Sequence, residues 1–201
     1  MEDYLRPTET LDWDSRSVNT KAEELTQGKD GDLEVVKTLF YFVRDQIPYR
    51  LFQGLADIDF FKASKTLGRG YGFCIPKAVL LASLLRASDI PSRLHFADLV
   101  NHLLPPGSKE YLGTDIMVYH GYVEVFLKNK WIKLNPAFNR ELCEKFDIVP
   151  VVFRGSQDAL FERFNNNGEL HVEYKIDHGY FDDLPFERIM SAFKTAYPHL
   201  R

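Results

Sequence analysis

The residues with the clearest chemical potential in this 201-residue chain lie in the stretch GYGFCIPK, residues 70–77. Cys74, one of only two cysteines, directly precedes the apolar run AVLLASLLRA. A thiol at a helix start lies at the positive end of the helix dipole, which favours the thiolate. Gly70 and Gly72 permit close backbone approach, and free N–H groups of a first helical turn can stabilise an oxyanion. The stretch predicts a nucleophilic cysteine that titrates below about 8.5, the alternative being a small buried apolar side chain.

A nucleophilic thiol needs a base, and His120 is the best placed of the six histidines. It begins the predicted strand HGYVEVFL, and Asn135 ends the next one, WIKLN. If Phe126 lies opposite Trp131 in this hairpin, His120 is diagonal to Asn135 on the same face, about 7–8 Å away. The pattern therefore predicts that Asn135 orients the imidazole. The alternative is an ordinary strand histidine and an asparagine that caps the turn before Pro136.

A metal site is the competing chemistry. In HFADLVNH, the residues His95, Asp98 and His102 have the spacing i, i+3, i+7, which on a helix would present zinc ligands on one face. The surrounding stretch SRLHFADLV instead favours a strand, in which His95 and Asp98 point to opposite faces. No metal and no cofactor is therefore predicted.

The elements that must position these residues are two helices and a set of strands. The pattern predicts an amphipathic helix over 32–47 and a helix over 74–87 that is apolar on all sides and therefore buried. Residues 60–72 are predicted as a loop, 92–100 as a strand, and 117–136 as a hairpin. This order indicates an α+β fold.

The C-terminal third is predicted to complete the same domain. VVF, LFERF and HVEYKI are typical of strands, and PFERIMSAFKTAY is typical of a closing helix. Neither a linker nor a repeat divides the sequence, which predicts a single domain over 1–201, with its core motifs in 35–138 and further strands and a helix in 139–201. Cys143 is predicted to be structural.

Composition restricts the classes of partner. The chain is 45% hydrophobic with a net charge of −4 and no block of basic residues, which argues against disorder and against nucleic acid. No apolar stretch reaches the roughly 18 residues of a membrane span. Few cysteines and a polar N-terminus favour a cytoplasmic protein. The composition does not determine the oligomeric state. A peptide, a protein, or a small amide or ester substrate is the partner that the motif resemblance described next implies.

Taken together, the motifs resemble the transglutaminase-like superfamily of papain-related thiol enzymes. GFC matches the glycine and cysteine, AVLLASLLRASDIPSR matches the helix and the element after it, and HGYVEVFLKNKWIKLNP matches the histidine and tryptophan strands, with the likeness extending over about 35–138. The resemblance implies an α+β, papain-like core in which a central buried helix packs on an antiparallel sheet. It also implies that Cys74 is the nucleophile and His120 the base.

The third catalytic position departs from the family pattern. The chain has Asn135 where the family typically has aspartate, and asparagine orients an imidazole without adding charge. Asn139 and Asp115 are nearby substitutes. The implied chemistry is acyl transfer or amide hydrolysis through an acyl-enzyme. The alternative is a weak or inactive module that binds a peptide or a partner protein. Gln46 and Gln53 are considered as oxyanion donors, with surface positions favoured for both.

Overall fold

The chain folds into an antiparallel sheet that packs against one buried helix. The computed structural model describes residues 1–51, 57–104 and 107–198. In chain order these contain α1 (Arg16–Thr26), α2 (Asp32–Gln46), α3 (Ala63–Arg69), α4 (Cys74–Ala87), β1 (Ser92–Asn101), α5 (Ser108–Leu112), β2 (Ile116–Leu127), β3 (Lys130–Leu134), α6 (Arg140–Lys145), β4 (Val172–Phe181) and α7 (Phe186–Ala196), together with short 3-10 helices at Glu2–Tyr4 and Ile58–Phe61. The predicted α+β fold is confirmed.

Helix α4 is the centre of the molecule. It begins at Cys74 and ends at Ala87, as predicted, with Pro76 in its first turn, where a missing N–H costs little. Its apolar side chains are fully buried, because α1, α2 and α3 pack on one side and β1 and β2 on the other. Lys77 and Arg86 are buried as well. Burial on all sides explains why the apolar residues of this helix show no single face.

The sheet has the strand order β3-β2-β1-β4, and the β2–β3 hairpin has the predicted register. Phe126 lies opposite Trp131, and their rings are 5.4 Å apart. The face that carries Val123, Val125 and Leu134 is buried, as predicted for the side toward α4. On β1, Ala97 lies opposite His120. The hairpin thus places His120 on the face opposite the apolar residues of β2.

The loop predicted for residues 60–72 is wrong, because this segment contains the end of a 3-10 helix and all of α3. Arg69 explains its stability: its guanidinium donates to the carbonyls of Tyr71 and Phe60 and lies 3.8 Å from the centre of the Phe60 ring. Gly70 then ends α3 in the left-handed conformation, with φ of +72°. These contacts hold the segment that leads directly into Cys74.

The strands predicted for VVF and LFERF are also wrong. Residues 151–153 and 160–163 are irregular. Phe164 forms one isolated antiparallel bridge with Leu170, and the neighbouring Ala159 forms one parallel bridge with Leu134. Val151, Phe153 and Phe161 are buried all the same. Their apolar spacing reflects packing against the core without a strand partner. The strand predicted for HVEYKI is present as part of β4.

Within the described ranges, no helix is both long enough and apolar enough to cross a membrane.

Candidate active site

Cys74 lies at the first position of α4, against the backbone of β2. The N–H groups of Gly121, Ile75 and Cys74 itself point toward the sulfur and favour its thiolate. Gly121 makes this approach possible: a Cβ there would lie 3.3 Å from Ile75 Cα and 3.1 Å from Phe96 Cε1. This role of Gly121 was not predicted from the sequence, although a glycine directly after the candidate base could have indicated it.

The predicted fall in the pKa of Cys74 is wrong for this arrangement. Only 3% of Cys74 is exposed, and burial raises the pKa of the thiol to about 11, against the pull of the N–H groups of Gly121 and Ile75. The helix start favours the thiolate, but the loss of water around the sulfur outweighs it. The thiol is therefore neutral in the closed structure.

His120 is completely buried beside Cys74's neighbour Gly121. Its ring centre is 5.3 Å from that of Phe161 and 6.4 Å from that of Tyr122. Neither imidazole nitrogen has a hydrogen-bond partner of regular geometry in the described part of the chain. Burial lowers the pKa of His120 to about 4, partly offset by the nearby side chain of Asn135. The base is therefore neutral and free to accept a proton.

Asn135 directly follows β3, and its contacts bear on both alternatives predicted for it, the cap of the turn and the orientation of His120. Its Oδ1 accepts from the Ala137 N–H at 3.1 Å, which stabilises the turn around Pro136. Its side chain is fully buried and close enough to His120 to raise the pKa of that imidazole. Among the described residues, its Nδ2 has no regular partner. The diagonal placement predicted from the hairpin register is therefore consistent with these contacts.

The two substitutes for Asn135 are occupied elsewhere. Asn139 Oδ1 accepts from the backbone N–H of Tyr49 at 3.1 Å. Asp115 pairs with Lys109 at 3.0 Å on the surface. Neither contact involves His120, so Asn135 remains the better candidate for the third position.

A strained backbone position within β2 directly precedes His120. Tyr119 has a φ of +50°, which is rare for a bulky residue. Its N–H donates to Asp98 Oδ1 at 2.8 Å, and its ring stacks on His178 at 4.0 Å. His178 Nε2 is in turn 2.7 Å from Asp98 Oδ1. This three-residue support fixes the backbone from which His120 projects, and the sequence carried no signal of it.

The residues considered for zinc do not come together. Because they lie on and just after β1, His95 contacts Glu124 and Asp177, whereas Asp98 contacts His178. His102 lies 3.0 Å from Glu173. No group of three acidic, histidine or cysteine side chains suited to a metal occurs in residues 1–51, 57–104 and 107–198.

The site is closed on all sides. Phe161 covers His120, and Phe138 packs on Phe161 at 4.7 Å between ring centres. The Tyr174 hydroxyl turns inward toward Asn135 and the backbone of Phe161. Two open grooves lie elsewhere, one along α7 and one beside the β2–β3 turn, and neither is lined by Cys74. Access to the thiol therefore requires movement of this cover.

The comparison with protein families gives one match, over the part of the chain that carries these residues. The profile of the transglutaminase-like superfamily matches residues 19–136. This range contains Cys74, His120 and Asn135 and covers more than half of the chain. No curated protein sequence matches the chain significantly.

Solved structures with the same fold include two proteins of different description. One is a candidate cysteine protease from Cytophaga hutchinsonii, 16% identical, with a TM-score of 0.52 over 89% of this chain and 53% of that one. Another is the arylamine N-acetyltransferase from Salmonella typhimurium, 13% identical, with a TM-score of 0.50 over 95% of this chain and 70% of that one. The chain thus spans about half of the first protein. At these identities the likeness establishes the papain-like fold alone.

Proposed function

Since the chain belongs to the transglutaminase-like superfamily, we propose that it is a thiol-dependent acyltransferase or amidohydrolase. Cys74 is the nucleophile, His120 the general base, and Asn135 the residue that orients His120. One observation carries the proposal: a Cβ added at Gly121 would lie 3.3 Å from the backbone of Ile75, next to Cys74, and Gly121 directly follows an imidazole whose two nitrogens have no regular partner within the described ranges. Buried polar groups without a partner are few in native proteins, and a functional site is one explanation for them.

The reaction proceeds through an acyl-enzyme. The Cys74 sulfur attacks the carbonyl carbon of an amide or ester while its proton passes to His120. The carbonyl electron pair moves to oxygen and returns as the amine or alcohol leaves with the proton from His120. Water or an amine then attacks the thioester, again giving its proton to His120, and the regenerated thiol takes that proton back. The substrate is a peptide, a protein, or a small amide or ester.

Proton transfer is costly while the site is closed. The thiol pKa is about 11 and the imidazole pKa about 4. Burial raises the first pKa and lowers the second, so both shifts favour the neutral thiol and the neutral imidazole in the closed state. Substrate entry, which displaces the cover and readmits polar surroundings, must precede activation.

The closed site also favours one second candidate. Because Cys74 and His120 are buried and neutral, the fold would serve equally as an inactive module that binds a peptide or a partner protein. The two candidates differ in one observable, which is whether a thioester forms on Cys74.

The deciding experiment is acylation by p-nitrophenyl acetate, followed by mass spectrometry of the adduct. Cys143→Ala is a matched control, because Cys143 is also buried and burial raises its pKa to about 11. We expect a burst of nitrophenolate and an acetyl group on Cys74, both lost in Cys74→Ala and retained in Cys143→Ala. Acylation that persists in Cys74→Ala would refute the proposal. A folded parent protein without any adduct would favour the binding module.

We further propose that residues 1–201 form one domain in a reducing compartment, such as the cytoplasm. Arg86 at the end of α4 donates to the carbonyls of Arg6, Ser92 and Asp182 and so ties both ends of the chain to the central helix. The two free cysteines are in keeping with a reducing location.

A further inference from the structure

A tyrosine hydroxyl near Cys74 is buried without a partner. The Tyr49 Oη has no hydrogen-bond partner in the described part of the chain. A buried hydroxyl in this state costs about 1–3 kcal/mol, and native proteins retain few of them. Such a donor therefore calls for an explanation.

The backbone of Tyr49 is held beside the start of α4. Tyr49 forms a parallel bridge with Gly72, two residues before Cys74. Gly72 N–H donates to Pro48 O at 3.2 Å, and Arg50 N–H donates to Gly72 O at 3.0 Å. The Tyr49 N–H is itself bound to Asn139 Oδ1. These contacts leave the backbone of Tyr49 little freedom.

The side chain of Tyr49 is positioned as firmly as its backbone. Its ring packs edge-to-face on Phe138, with ring centres 4.9 Å apart. Burial raises the pKa of Tyr49 well above its ordinary value, and a charge on Cys74 raises it further. The hydroxyl therefore stays protonated when the thiolate forms, and the sensitivity to that charge reflects proximity to the sulfur.

Other tyrosines near the site have occupied hydroxyls. Tyr197 Oη donates to Ile116 O at 3.0 Å and accepts from Val118 N–H at 2.9 Å. The Tyr174 hydroxyl interacts with the backbone of Phe161 and the side chain of Asn135. Tyr49 is thus the tyrosine of this group that retains an unused donor.

We propose that Tyr49 is a catalytic residue whose hydroxyl stabilises the oxyanion formed when Cys74 attacks an amide or ester carbonyl. The inference rests on the proposed function. As the C–S bond forms, the carbonyl electron pair moves to oxygen, which accepts a hydrogen bond from Tyr49 Oη–H. No proton leaves Tyr49. When the intermediate collapses, the electron pair returns and the leaving group takes its proton from His120.

The glutamines considered for this role are less suitable. Gln46 is exposed at the end of α2, and Gln53 lies outside the described residues. The sequence favours surface positions for both glutamines and carries no signal for Tyr49.

The test is Tyr49→Phe, which removes only the hydroxyl. We expect acylation by p-nitrophenyl acetate to slow by about 10²- to 10³-fold. Alkylation of Cys74 by iodoacetamide should keep its rate, because displacement at a tetrahedral carbon forms no oxyanion. The melting temperature should hold or rise, since an unpaired buried hydroxyl is removed.

Tyr41→Phe is the matched control. Tyr41 Oη is bonded to both the carbonyl and the N–H of Phe153. Its loss should lower the melting temperature and leave acylation within a few-fold of the parent. This pattern is the reverse of that expected for Tyr49→Phe.

Three outcomes would overturn the inference. Parental acylation by Tyr49→Phe, with Cys74→Ala inactive, would reject Tyr49 and leave the proposed function intact. Equal slowing of acylation and alkylation would mean that Tyr49 acts on the thiol. Parental acylation by Cys74→Ala would reject the proposed function and the inference with it.

Discussion

Two buried histidines on neighbouring strands flank Tyr122, and their surroundings differ completely. His95 stacks on Tyr122 at 4.7 Å, with its Nδ1 2.8 Å from Glu124 and its Nε2 2.6 Å from Asp177. On the other side of Tyr122, His120 has no regular partner for either nitrogen in the described chain. The two side chains share residue type and burial, so the contrast lies entirely in what surrounds them.

The region around His95 is a satisfied polar network. Glu124 also accepts from Arg93 Nε at 2.5 Å, and the Arg93 guanidinium lies 3.4 Å from the Tyr180 ring centre. Although burial opposes it, the pKa of Glu124 is lowered by His95 and Arg93. A network of this kind rigidifies the sheet. The contrast shows that the two nitrogens of His95 are engaged in structural contacts, whereas those of His120 have no regular partner among the described residues, as the proposed base requires.

The largest expected effect comes from substituting His120 and, as a comparison, His95. His120→Ala should slow acylation by about 10²- to 10⁴-fold, the contribution of a general base. His95→Phe, which retains the ring stack on Tyr122, should leave acylation within a few-fold. It should instead lower the free energy of unfolding by about 1–3 kcal/mol, because it removes both carboxylate contacts. Burst kinetics and urea denaturation measure the two effects.

The contrast between His95 and His120 is wrong if each variant shows the effect expected of the other. Near-parental acylation by His120→Ala, in the assay where Cys74→Ala is inactive, would assign the base to another residue. A severe kinetic loss in a folded His95→Phe would place His95 in the reaction.

The next effect is a pH dependence of the free energy of unfolding. It arises from the burial of His120, which has no regular partner among the described residues. The pKa of His120 is about 4 in the folded protein and about 6.5 when unfolded. Between these values the unfolded state binds more protons, so stability is complete above about 6.5 and is lost as the pH falls toward 4. The loss amounts to about 3 kcal/mol. Chemical denaturation at several pH values should show it.

His120→Leu is the control for this dependence. It removes the titrating group, so its free energy of unfolding should vary less between pH 6.5 and 4. The pKa values of Glu124 and Asp177 are lowered from 4.5 and 3.8, so the stability they confer is present above these values and is lost as the pH falls below them, in both proteins alike. Parallel pH curves for parent and variant would show that His120 is not the titrating group.

The smallest effect concerns Asn135, which joins the catalytic and structural roles in one side chain. Asn135→Ala should slow acylation by about 5- to 150-fold, the value of an orienting hydrogen bond of 1–3 kcal/mol. It should also lower stability, because the Ala137 N–H loses its acceptor. Asn135→Asp retains that acceptor and should raise the pKa of His120, since a carboxylate favours imidazolium.

The pH–rate profile separates these roles. In Asn135→Asp the acid limb should move to higher pH, a change that a residue needed only for the turn would not produce. An unmoved acid limb, combined with a lowered melting temperature in Asn135→Ala, would confine Asn135 to the turn before Pro136.

Much of the fold was predictable because its signals are local. The apolar run that begins at Cys74 defined α4 to its last residue, and the tight turn between β2 and β3 set the pairing of Phe126 with Trp131. From that register, the diagonal relation of His120 and Asn135 followed. In contrast, α3 was missed because its stability comes from Arg69 contacts, and the strands expected at residues 151–164 were wrong because burial alone produced their pattern.

The sequence by itself determined the local position of each candidate residue: a cysteine at a helix start, a histidine on one strand and an asparagine at the end of the next. Only the tertiary structure decided their protonation and their partners. Burial raised the pKa of Cys74, where the sequence predicts a lowered value. His95 contacts Asp177, which is 82 residues away in the chain, whereas His120 has no regular partner in the described part of the chain. The physical reason is the distance along the chain over which each interaction acts. Helix periodicity and hairpin register act between near neighbours, whereas desolvation and charge depend on groups that only folding brings together.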